Sequence, residues 1–191
     1  MKRLILASAS PRRKELMSDF HLPFEIVVSK CEEVFSPSLT LSEAIEDVAY
    51  QKAYDVYTKH PDAVVIGCDT MVVYQNEKLG KPKDEDDARR MLMMLSNQTH
   101  EVISGVCILG NGIDIRFHES TKVTFYSLEE SLLNAYLATK TYGDKAGAYA
   151  IQDPLSRLFV KKLDGDYYNV VGFPVARLYR ELMKILEEKE G

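Results

Sequence analysis

The sequence has no apolar segment long enough to cross a membrane. Its 191 residues are 46% hydrophobic and 28% charged, but no apolar run approaches the ~20 residues that a transmembrane helix requires. The same composition excludes intrinsic disorder, because a chain with this apolar content can bury a core. At roughly 150 residues per domain, the length predicts one domain, or one domain with a large sub-lobe.

Cysteine and histidine are too few and too scattered to form the usual disulfide or metal sites. The three cysteines are widely spaced without a CxxC pair, which argues against a disulfide framework and a structural zinc site. We expect three reduced thiols, at Cys31, Cys68 and Cys107. The four histidines include no HxxxH pair, and no GxSxG motif indicates a serine hydrolase.

Positive charge is also in short supply. The formal net charge is -5 and the pI is about 5.5. This balance argues against a protein that binds DNA or RNA, which usually carries a basic stripe. An anionic ligand would therefore have to be bound by a local cluster of cations.

The N-terminus resembles a signal peptide only superficially. Lys2 and Arg3 precede an apolar stretch, and Ala7-Ser8-Ala9 has the pattern of a cleavage site. However, the apolar run at 4–7 has four residues, whereas a signal peptide needs about 7–15. We expect a strand that enters a helix, and a cytoplasmic protein.

Hydrophobic periodicity and capping residues predict a mixed α/β sheet rather than a clean doubly wound fold. The predicted strands cover residues 3–7, 24–29, 63–67 with a continuation at 71–74, 101–109, 113–126 and 158–163. The predicted helices run from Pro11 to about Phe20 after a Ser10 cap, from 41 to about 59 after a Thr40/Glu43 capping box, from an Asp84 cap onward, from Ser127 and Glu130 to about Thr139, and from Pro174 onward. The continuous apolar run at 63–67 indicates a strand covered on both faces.

Three consecutive cations, Arg12, Arg13 and Lys14, fall in the first turn of the first predicted helix. Cations are unfavourable there by about 0.3–1 kcal/mol each, because this end of a helix carries partial positive charge. Free N–H groups, arginine side chains and the hydroxyls of Ser8 and Ser10 together are typical of a phosphate site. On position alone, a solvated basic turn is an equal alternative.

Two acidic positions are candidates for metal binding and general-base chemistry. Asp69 follows a predicted apolar strand, and ligands of open α/β sheets collect beyond the carboxyl ends of strands. Glu32, with Glu33 beside it, lies in a polar loop and could help Asp69 to hold Mg²⁺, which takes one or two protein carboxylates. The alternatives are an aspartate that caps a turn and a solvated acidic loop.

Two lysines complete the set. Lys52 is four residues from both Val48 and Val56, so it lies on the apolar stripe of its helix and needs either a counter-anion or an exposed tip. Lys81, between Gly80 and Pro82, is a surface lysine when taken alone. Cations for a polyphosphate, with carboxylates for a divalent metal and a general base, are the groups that phosphoryl chemistry needs.

Six short motifs in order then resemble a known family over nearly the whole chain. The motifs are Ser8-Ala9-Ser10-Pro11-Arg12-Arg13, Gln51-Lys52-Ala53, Gly67-Cys68-Asp69-Thr70, Gly80-Lys81-Pro82, Asp144-Lys145-Ala146-Gly147-Ala148-Tyr149 and Asp164-Gly165-Asp166-Tyr167-Tyr168. They are similar to those of the Maf-like proteins, which are nucleoside triphosphate pyrophosphatases. The resemblance implies one Maf-like domain over 1–191, with a mixed twisted sheet flanked by helices and two lobes around a cleft, as in ITPase-like (Ham1-type) enzymes.

The resemblance also implies an activity and its participants. A nucleoside triphosphate would be hydrolysed to the monophosphate and pyrophosphate with a divalent metal, Mg²⁺ or Mn²⁺. A homodimer is implied, and neither a nucleic acid nor a membrane is expected as a partner. Because the family was first linked to septum formation, a nucleotide-sensing regulator of cell division is the alternative from another functional class.

Carried over position by position, the resemblance assigns roles to individual residues. Asp69 matches the proton acceptor. The positions that line the nucleotide and metal site are Ser8, Arg12, Arg13, Glu32, Lys52 and Lys81, with Glu32 and Asp69 at the metal. Three positions sort the substrate classes in the family, and here they are Arg12, Thr70 and Gln152.

This combination resembles the dTTP/UTP branch of the family. The branch that acts on 7-methyl-GTP carries an aromatic residue, Gln and Glu instead. The amide of Gln152 offers an acceptor and donors together, which suits the carbonyl and N3–H of uracil or thymine. The same chemistry on 7-methyl-GTP or on modified pyrimidine nucleotides stays open.

Overall fold

The chain folds around a mixed β-sheet in a computed structural model that describes residues 2–187. Its strands are β1 (Leu4–Leu6), β2 (Phe24–Ile26), β3 (Val64–Tyr74), β4 (Glu77–Leu79), β5 (Thr99–Gly110), β6 (Ile113–Phe125) and β7 (Val160–Asp164). The order is β2-β1-β3-β5-β6-β7, and β4 pairs with β3. β1 is parallel to both of its neighbours, whereas β4 and β7 pair in antiparallel fashion. The predicted mixed α/β class is confirmed.

Six α-helices lie within residues 2–187; the first four connect strands, and the last two follow β7. They are α1 (Pro11–Ser18), α2 (Leu41–Tyr57), α3 (Glu85–Leu95), α4 (Glu130–Ala138), α5 (Tyr167–Val171) and α6 (Val175–Glu187). The predicted caps of the first three are confirmed: Ser10, the Thr40/Glu43 capping box and Asp84 accept backbone N–H groups. No helix in this part of the chain is long and apolar enough to span a membrane.

Several boundaries differ from the sequence-based prediction: β2 ends at Ile26 rather than at residue 29, and three further differences have a local physical cause. β3 does not end at Asp69 but runs without interruption from Val64 to Tyr74. Ser127 does not cap α4, which begins at Glu130; the backbone N–H of Leu128 instead donates to Ser96 Oγ at 2.8 Å. The last strand begins at Val160 rather than 158, because a 3₁₀ helix occupies Ser156–Phe159.

The described residues divide into two compact units. The first unit comprises 2–69, Ser104–Glu119 and 172–187, and the second comprises Thr70–Ile103 and Ser120–Val171. Side chains alternate along β1 and β3 between two apolar clusters of the first unit. Leu4 and Ile66 pack with α1 and α6 in one cluster, while Ile5 and Val65 pack with α2 in the other. The predicted coverage of both strand faces is confirmed.

Two glycines bring the backbone of α2 directly onto the sheet. A Cβ atom on Gly67 would lie 2.1 Å from the carbonyl oxygen of Ala49, and one on Gly105 would lie 2.3 Å from that of Ile45. These distances exclude any side chain at the two positions. The position of α2 on the sheet is therefore set by close backbone packing, and this position in turn determines where Lys52 lies.

The second unit has a separate, aromatic-rich core. Phe125, Tyr136 and Phe159 pack edge to face at its centre. His100 is buried against Phe125 and Tyr149, and its Nε2 lies 2.7 Å from the Tyr149 hydroxyl. This histidine is a core residue.

Candidate active site

Lys52 and Asp69 form a shielded ion pair in the first unit. The Lys52 Nζ atom lies 2.7 Å from Asp69 Oδ1 and 2.8 Å from Glu33 Oε1. The Lys52 side chain is 16% exposed and that of Asp69 is 14% exposed. Of the two sequence-based alternatives for Lys52, an inward lysine with a counter-anion is the one that the structure shows.

The charge of Lys52 is maintained by its partners. Burial lowers the pKa of this ammonium group, but the negative charge and hydrogen bond of Asp69, with the hydrogen bond of Glu33, outweigh the effect of burial. The net result is a pKa above the usual value of 10.5. Lys52 is therefore a cation at neutral pH and can attract phosphate as well as hold Asp69 in place.

The acidic loop before α2 places Glu33, not Glu32, against Lys52. Glu32 is exposed in that loop, so its predicted metal role stays a prediction. Gln51 fixes the loop, since its Oε1 accepts the backbone N–H of Val34 at 3.0 Å and its Nε2 donates to the carbonyl of Val34 at 2.7 Å. The sequence indicates no individual role for Glu33 or Gln51, although Glu33 is adjacent to Glu32 and Gln51 is part of the Gln51-Lys52-Ala53 motif.

Adjacent arginines at the start of α1 have different surroundings. The Arg13 guanidinium donates to the carbonyls of Cys68 at 2.8 Å and Gly172 at 2.9 Å, and to Ser8 Oγ at 3.3 Å. Arg13 thus ties the α1 turn to β3 and to the segment before α6. None of these bonds involves Arg12, which is half-buried.

Asp69 lies within β3 rather than beyond its carboxyl end, which corrects the prediction from strand position. Buried Cys68 and Met71 flank the half-buried pair Asp69 and Thr70. The polar pair is tolerated inside an apolar strand because Lys52 compensates the charge of Asp69. The chain passes from the first unit to the second between these two residues.

The remaining predicted residues belong to the second unit. Lys81 is exposed in the loop between β4 and α3, and the carbonyl of Gly80 before it accepts the Gly147 N–H at 3.0 Å. Gln152 is half-buried, and its Oε1 atom is buried without a hydrogen-bond partner among residues 2–187. A buried amide oxygen without a partner costs about 1–3 kcal/mol, so a bound group that donates a hydrogen bond to it would be favourable.

The donor set suits a cation that arrives with a triphosphate better than a fully formed metal centre. Within residues 2–187, no group of three or more His, Cys, Asp or Glu side chains could hold a metal ion. Asp69 and Glu33 present two carboxylates around Lys52. Because Mg²⁺ commonly uses one or two protein carboxylates and completes its shell with water and substrate phosphate, these residues fit that group.

Comparisons with known proteins confirm the resemblance to the Maf-like family. The family model described as "Maf-like protein" matches residues 3–185. A "dTTP/UTP pyrophosphatase" of Bacillus cereus is 48% identical over 182 residues, covering 95% of each chain. A protein of the same description from Bacillus cytotoxicus is 47% identical over 182 residues, with the same coverage.

Solved structures give weaker matches. The Staphylococcus aureus Ham1 protein has a TM-score of 0.49 at 14% identity, covering 65% of this chain and 72% of that one. A nucleoside-triphosphatase, dITP/XTP pyrophosphatase, of Mycobacterium abscessus has a TM-score of 0.48 at 14% identity, covering 96% and 98%. The family model covers nearly the whole sequence, and relatives aligned over 95% of their length are nearly half identical. This chain therefore belongs to the Maf-like protein family.

Proposed function

We propose that this protein hydrolyses dTTP and UTP to the monophosphate and pyrophosphate. The observation that carries the proposal is the Lys52–Asp69 pair, a shielded carboxylate held at 2.7 Å by a lysine that stays charged. Relatives that are nearly half identical over 95% of the chain are named for this activity. A binding protein that only senses nucleotides would not need a carboxylate positioned in this way.

In the proposed reaction, Asp69 orients a water molecule and accepts a proton from it. The water oxygen forms a bond to phosphorus as the bond to the departing pyrophosphate breaks, and the electron pair of that bond leaves with pyrophosphate. Lys52 keeps Asp69 in place and stabilises the negative charge that develops on the phosphates. A divalent cation bound to the triphosphate, Mg²⁺ or Mn²⁺, neutralises phosphate charge when present.

The cationic residues would hold the triphosphate. Arg12 and Lys81 are the side chains assigned to it directly, with charge-assisted hydrogen bonds to phosphate oxygens. Ser8 and Arg13 would shape the turn that receives it, since they are bonded to each other at 3.3 Å. Glu32, with Asp69, remains the proposed pair of metal ligands, and the Glu33 carboxylate lies 2.8 Å from Lys52 Nζ.

Gln152 supports the choice of base. Its buried Oε1 lacks a donor, and the N3–H group of uracil or thymine would supply one, while the amide Nε2 would donate to a ring carbonyl. Cytosine has no hydrogen on N3 and would leave the acceptor unsatisfied. By resemblance to the family, Arg12, Thr70 and Gln152 are the proposed specificity residues, and 7-methyl-GTP is the less favoured alternative.

The homodimer, the cytoplasmic location and the single domain built from two sub-lobes stay proposals based on the resemblance. Size-exclusion chromatography with light scattering tests the first of them. None is required for the chemistry assigned to Lys52 and Asp69.

The test of the proposed function is pyrophosphate release from a panel of nucleoside triphosphates, with Mg²⁺, Mn²⁺ or a chelator. We expect metal-dependent release from UTP and dTTP. Asp69→Asn should lower kcat by about 10²–10⁴-fold, the range of a general base, while binding of a non-hydrolysable UTP analogue is kept. Asp19→Asn, at the exposed end of α1, is the matched control.

Two results would contradict the proposal. Wild-type protein that binds these nucleotides without releasing pyrophosphate would support the regulator of cell division instead. Full activity in Asp69→Asn would remove Asp69 from the reaction.

A further inference from the structure

Lys145 is a buried lysine of the second unit to which the reaction assigns no role. Its side chain is 8% exposed, and its Nζ donates to the carbonyl of Thr141 and to Asp144 Oδ1 at 3.0 Å. The same Nζ lies 3.4 Å from Asp153 Oδ2. Asp144 is 69% exposed and Asp153 only 23% exposed, so the two carboxylates around Lys145 differ in their surroundings.

Asp153 directly follows Gln152, and its carboxylate depends on Lys145. The Asp153 Oδ2 atom is buried and makes no hydrogen bond within residues 2–187, so the ion pair with Lys145 compensates its charge. A buried carboxylate without a cation is strongly unfavourable. The ion pair therefore fixes the Asp153 side chain beside Lys145 Nζ. It also restrains the peptide unit between Gln152 and Asp153.

The backbone of Gln152 is fixed from the other side too. Its carbonyl accepts a hydrogen bond from Arg157 Nη2 at 2.5 Å. The Asp153 N–H donates to the carbonyl of Ala150 at 3.0 Å, and that carbonyl also accepts from Ser156 Oγ at 2.6 Å. These bonds hold the backbone on both sides of the Cα atom that carries the Gln152 side chain.

The same segment also contacts the loop that carries Lys81, another predicted substrate-binding residue of this unit. Gly147, two residues after Lys145, donates its N–H to the carbonyl of Gly80, which precedes Lys81. Gly147 adopts a φ of 66°, and a Cβ atom there would lie 3.0 Å from a methyl group of Val72. Lys145 thus lies at the start of a closely packed segment that ends at Gln152.

We propose that Lys145 and Asp153 are positioning residues that fix the direction of the Gln152 amide and thereby set selectivity for the uracil and thymine edge. The inference rests on the proposed function for its consequence on substrates. The orientation of Gln152 itself is a property of the free protein. The two parts can therefore be tested separately.

The experiment compares Asp153→Asn with Asp144→Asn. Both variants remove one carboxylate from Lys145 and keep the side-chain shape, but only Asp153 is adjacent to Gln152. The readout is the ratio of kcat/KM for UTP to that for CTP, which differ at N3, together with the melting temperature. We expect the ratio to fall about tenfold in Asp153→Asn, as for one misplaced hydrogen bond, and to stay unchanged in Asp144→Asn.

A second readout does not depend on the substrate. The side-chain amide resonances of Gln152 in the free, isotope-labelled protein should shift in Asp153→Asn and keep their positions in Asp144→Asn. An unchanged selectivity ratio in Asp153→Asn, or an equal change in both variants, would overturn the assignment of selectivity. Unchanged Gln152 resonances would overturn the positioning role, even if the wild-type protein hydrolysed neither UTP nor dTTP.

Discussion

At the scale of single residues, Arg12 and Arg13 show how neighbours with the same chemistry come to have different roles. Both were predicted from sequence as phosphate ligands in the first turn of α1. The structure bonds Arg13 to two backbone carbonyls and a serine hydroxyl of the first unit, and leaves Arg12 outside that network. Arg13 therefore acts mainly on the shape of the turn, and Arg12 is the better candidate for direct contact with phosphate.

This difference predicts two distinct phenotypes. Arg13→Gln should lower the free energy of unfolding by about 1.5–3 kcal/mol, because it removes charge-assisted bonds to carbonyls that stay partly buried. Arg12→Gln should change stability by less than about 0.5 kcal/mol and should raise KM for the nucleotide. Urea denaturation and steady-state kinetics on both variants check this, and a stable Arg13→Gln protein with a normal KM would contradict it.

A functional residue could be predicted from the sequence where a charged side chain falls on the apolar face of a helix. Lys52 on an apolar stripe demanded a counter-anion, and the structure supplies Asp69. Glu33 was not found, because two adjacent glutamates in an irregular loop have no periodicity to distinguish them. The unpartnered Oε1 of Gln152 was equally out of reach, since burial of one atom depends on how residues distant in sequence pack.

At the scale of elements, the position of α2 on the sheet depends on two glycines, which have no side chain to keep the helix away. Gly67 in β3 and Gly105 in β5 allow the helix backbone to touch the sheet. This contact places Lys52 beside Asp69 without any contribution from side-chain packing at those two points. The sequence shows both glycines, but only the fold shows that they face the same helix.

Gly105→Ala should therefore be severely destabilising. Its Cβ would lie 2.3 Å from a backbone oxygen, which cannot move as a side chain could, so we expect a loss at or above the upper end of the roughly 1–3 kcal/mol usual for overpacking. Activity should also fall as α2 shifts Lys52 away from Asp69. Gly143→Ala is the control, because nothing lies within 4 Å of its added methyl group; equal melting temperatures for the two variants would refute the argument.

His100, which lies in β5 and is buried against Tyr149, should make the stability of the protein depend on pH. Burial lowers the pKa of His100 to about 4 from the usual 6.5. The native state keeps this imidazole neutral, whereas the unfolded chain protonates it below about pH 6.5. The neutral imidazole therefore contributes fully to the free energy of unfolding above about pH 6.5. This contribution, about 3 kcal/mol in total, is lost as the pH falls toward 4.

His100→Gln isolates this effect, since glutamine can still bond the Tyr149 hydroxyl but does not titrate. The difference in free energy of unfolding between wild type and variant should shrink from pH 7 to pH 4 by the amount above. Carboxylates titrate in both proteins and cancel in the difference. A difference that is constant with pH would show that the pKa of His100 is the same in the native and unfolded states.

Local signals predicted most elements, and their failures have physical causes. Caps at Ser10, Thr40 and Asp84 marked helices correctly, because the capping hydroxyl or carboxylate lies directly before the first helical residue. Ser127 failed because Leu128 is buried and bonded to Ser96. The prediction divided β3 at Asp69 because a polar residue interrupts the apolar run. The strand continues in the structure because Lys52, on α2, compensates the charge of Asp69.

At the scale of the whole molecule, each unit has its own apolar core, and α6 closes that of the first. Leu178 and Leu182 on α6 are fully buried with Leu4 and Ile66. Three separate stretches of chain therefore have to come together before the first unit is complete. The helix contains no candidate site residue, yet the site depends on it.

Leu182→Ala should lower the free energy of unfolding by about 2–5 kcal/mol, the usual range for a leucine removed from a packed core. Tyr179→Ala, at an exposed position of the same helix, should cost much less, since 41% of the tyrosine is already exposed. Thermal denaturation of the two variants provides the comparison. Similar losses in both would show that α6 is not part of the core.

The division of the chain between the units also orders its synthesis. Thr70–Ile103 and Ser120–Val171 make up the second unit, so all of it leaves the ribosome before the segment that becomes α6. The first unit supplies Lys52 and Asp69 early, but its core waits for residues 172–187. The candidate catalytic pair thus belongs to the unit whose apolar core is the last to be complete in the order of synthesis.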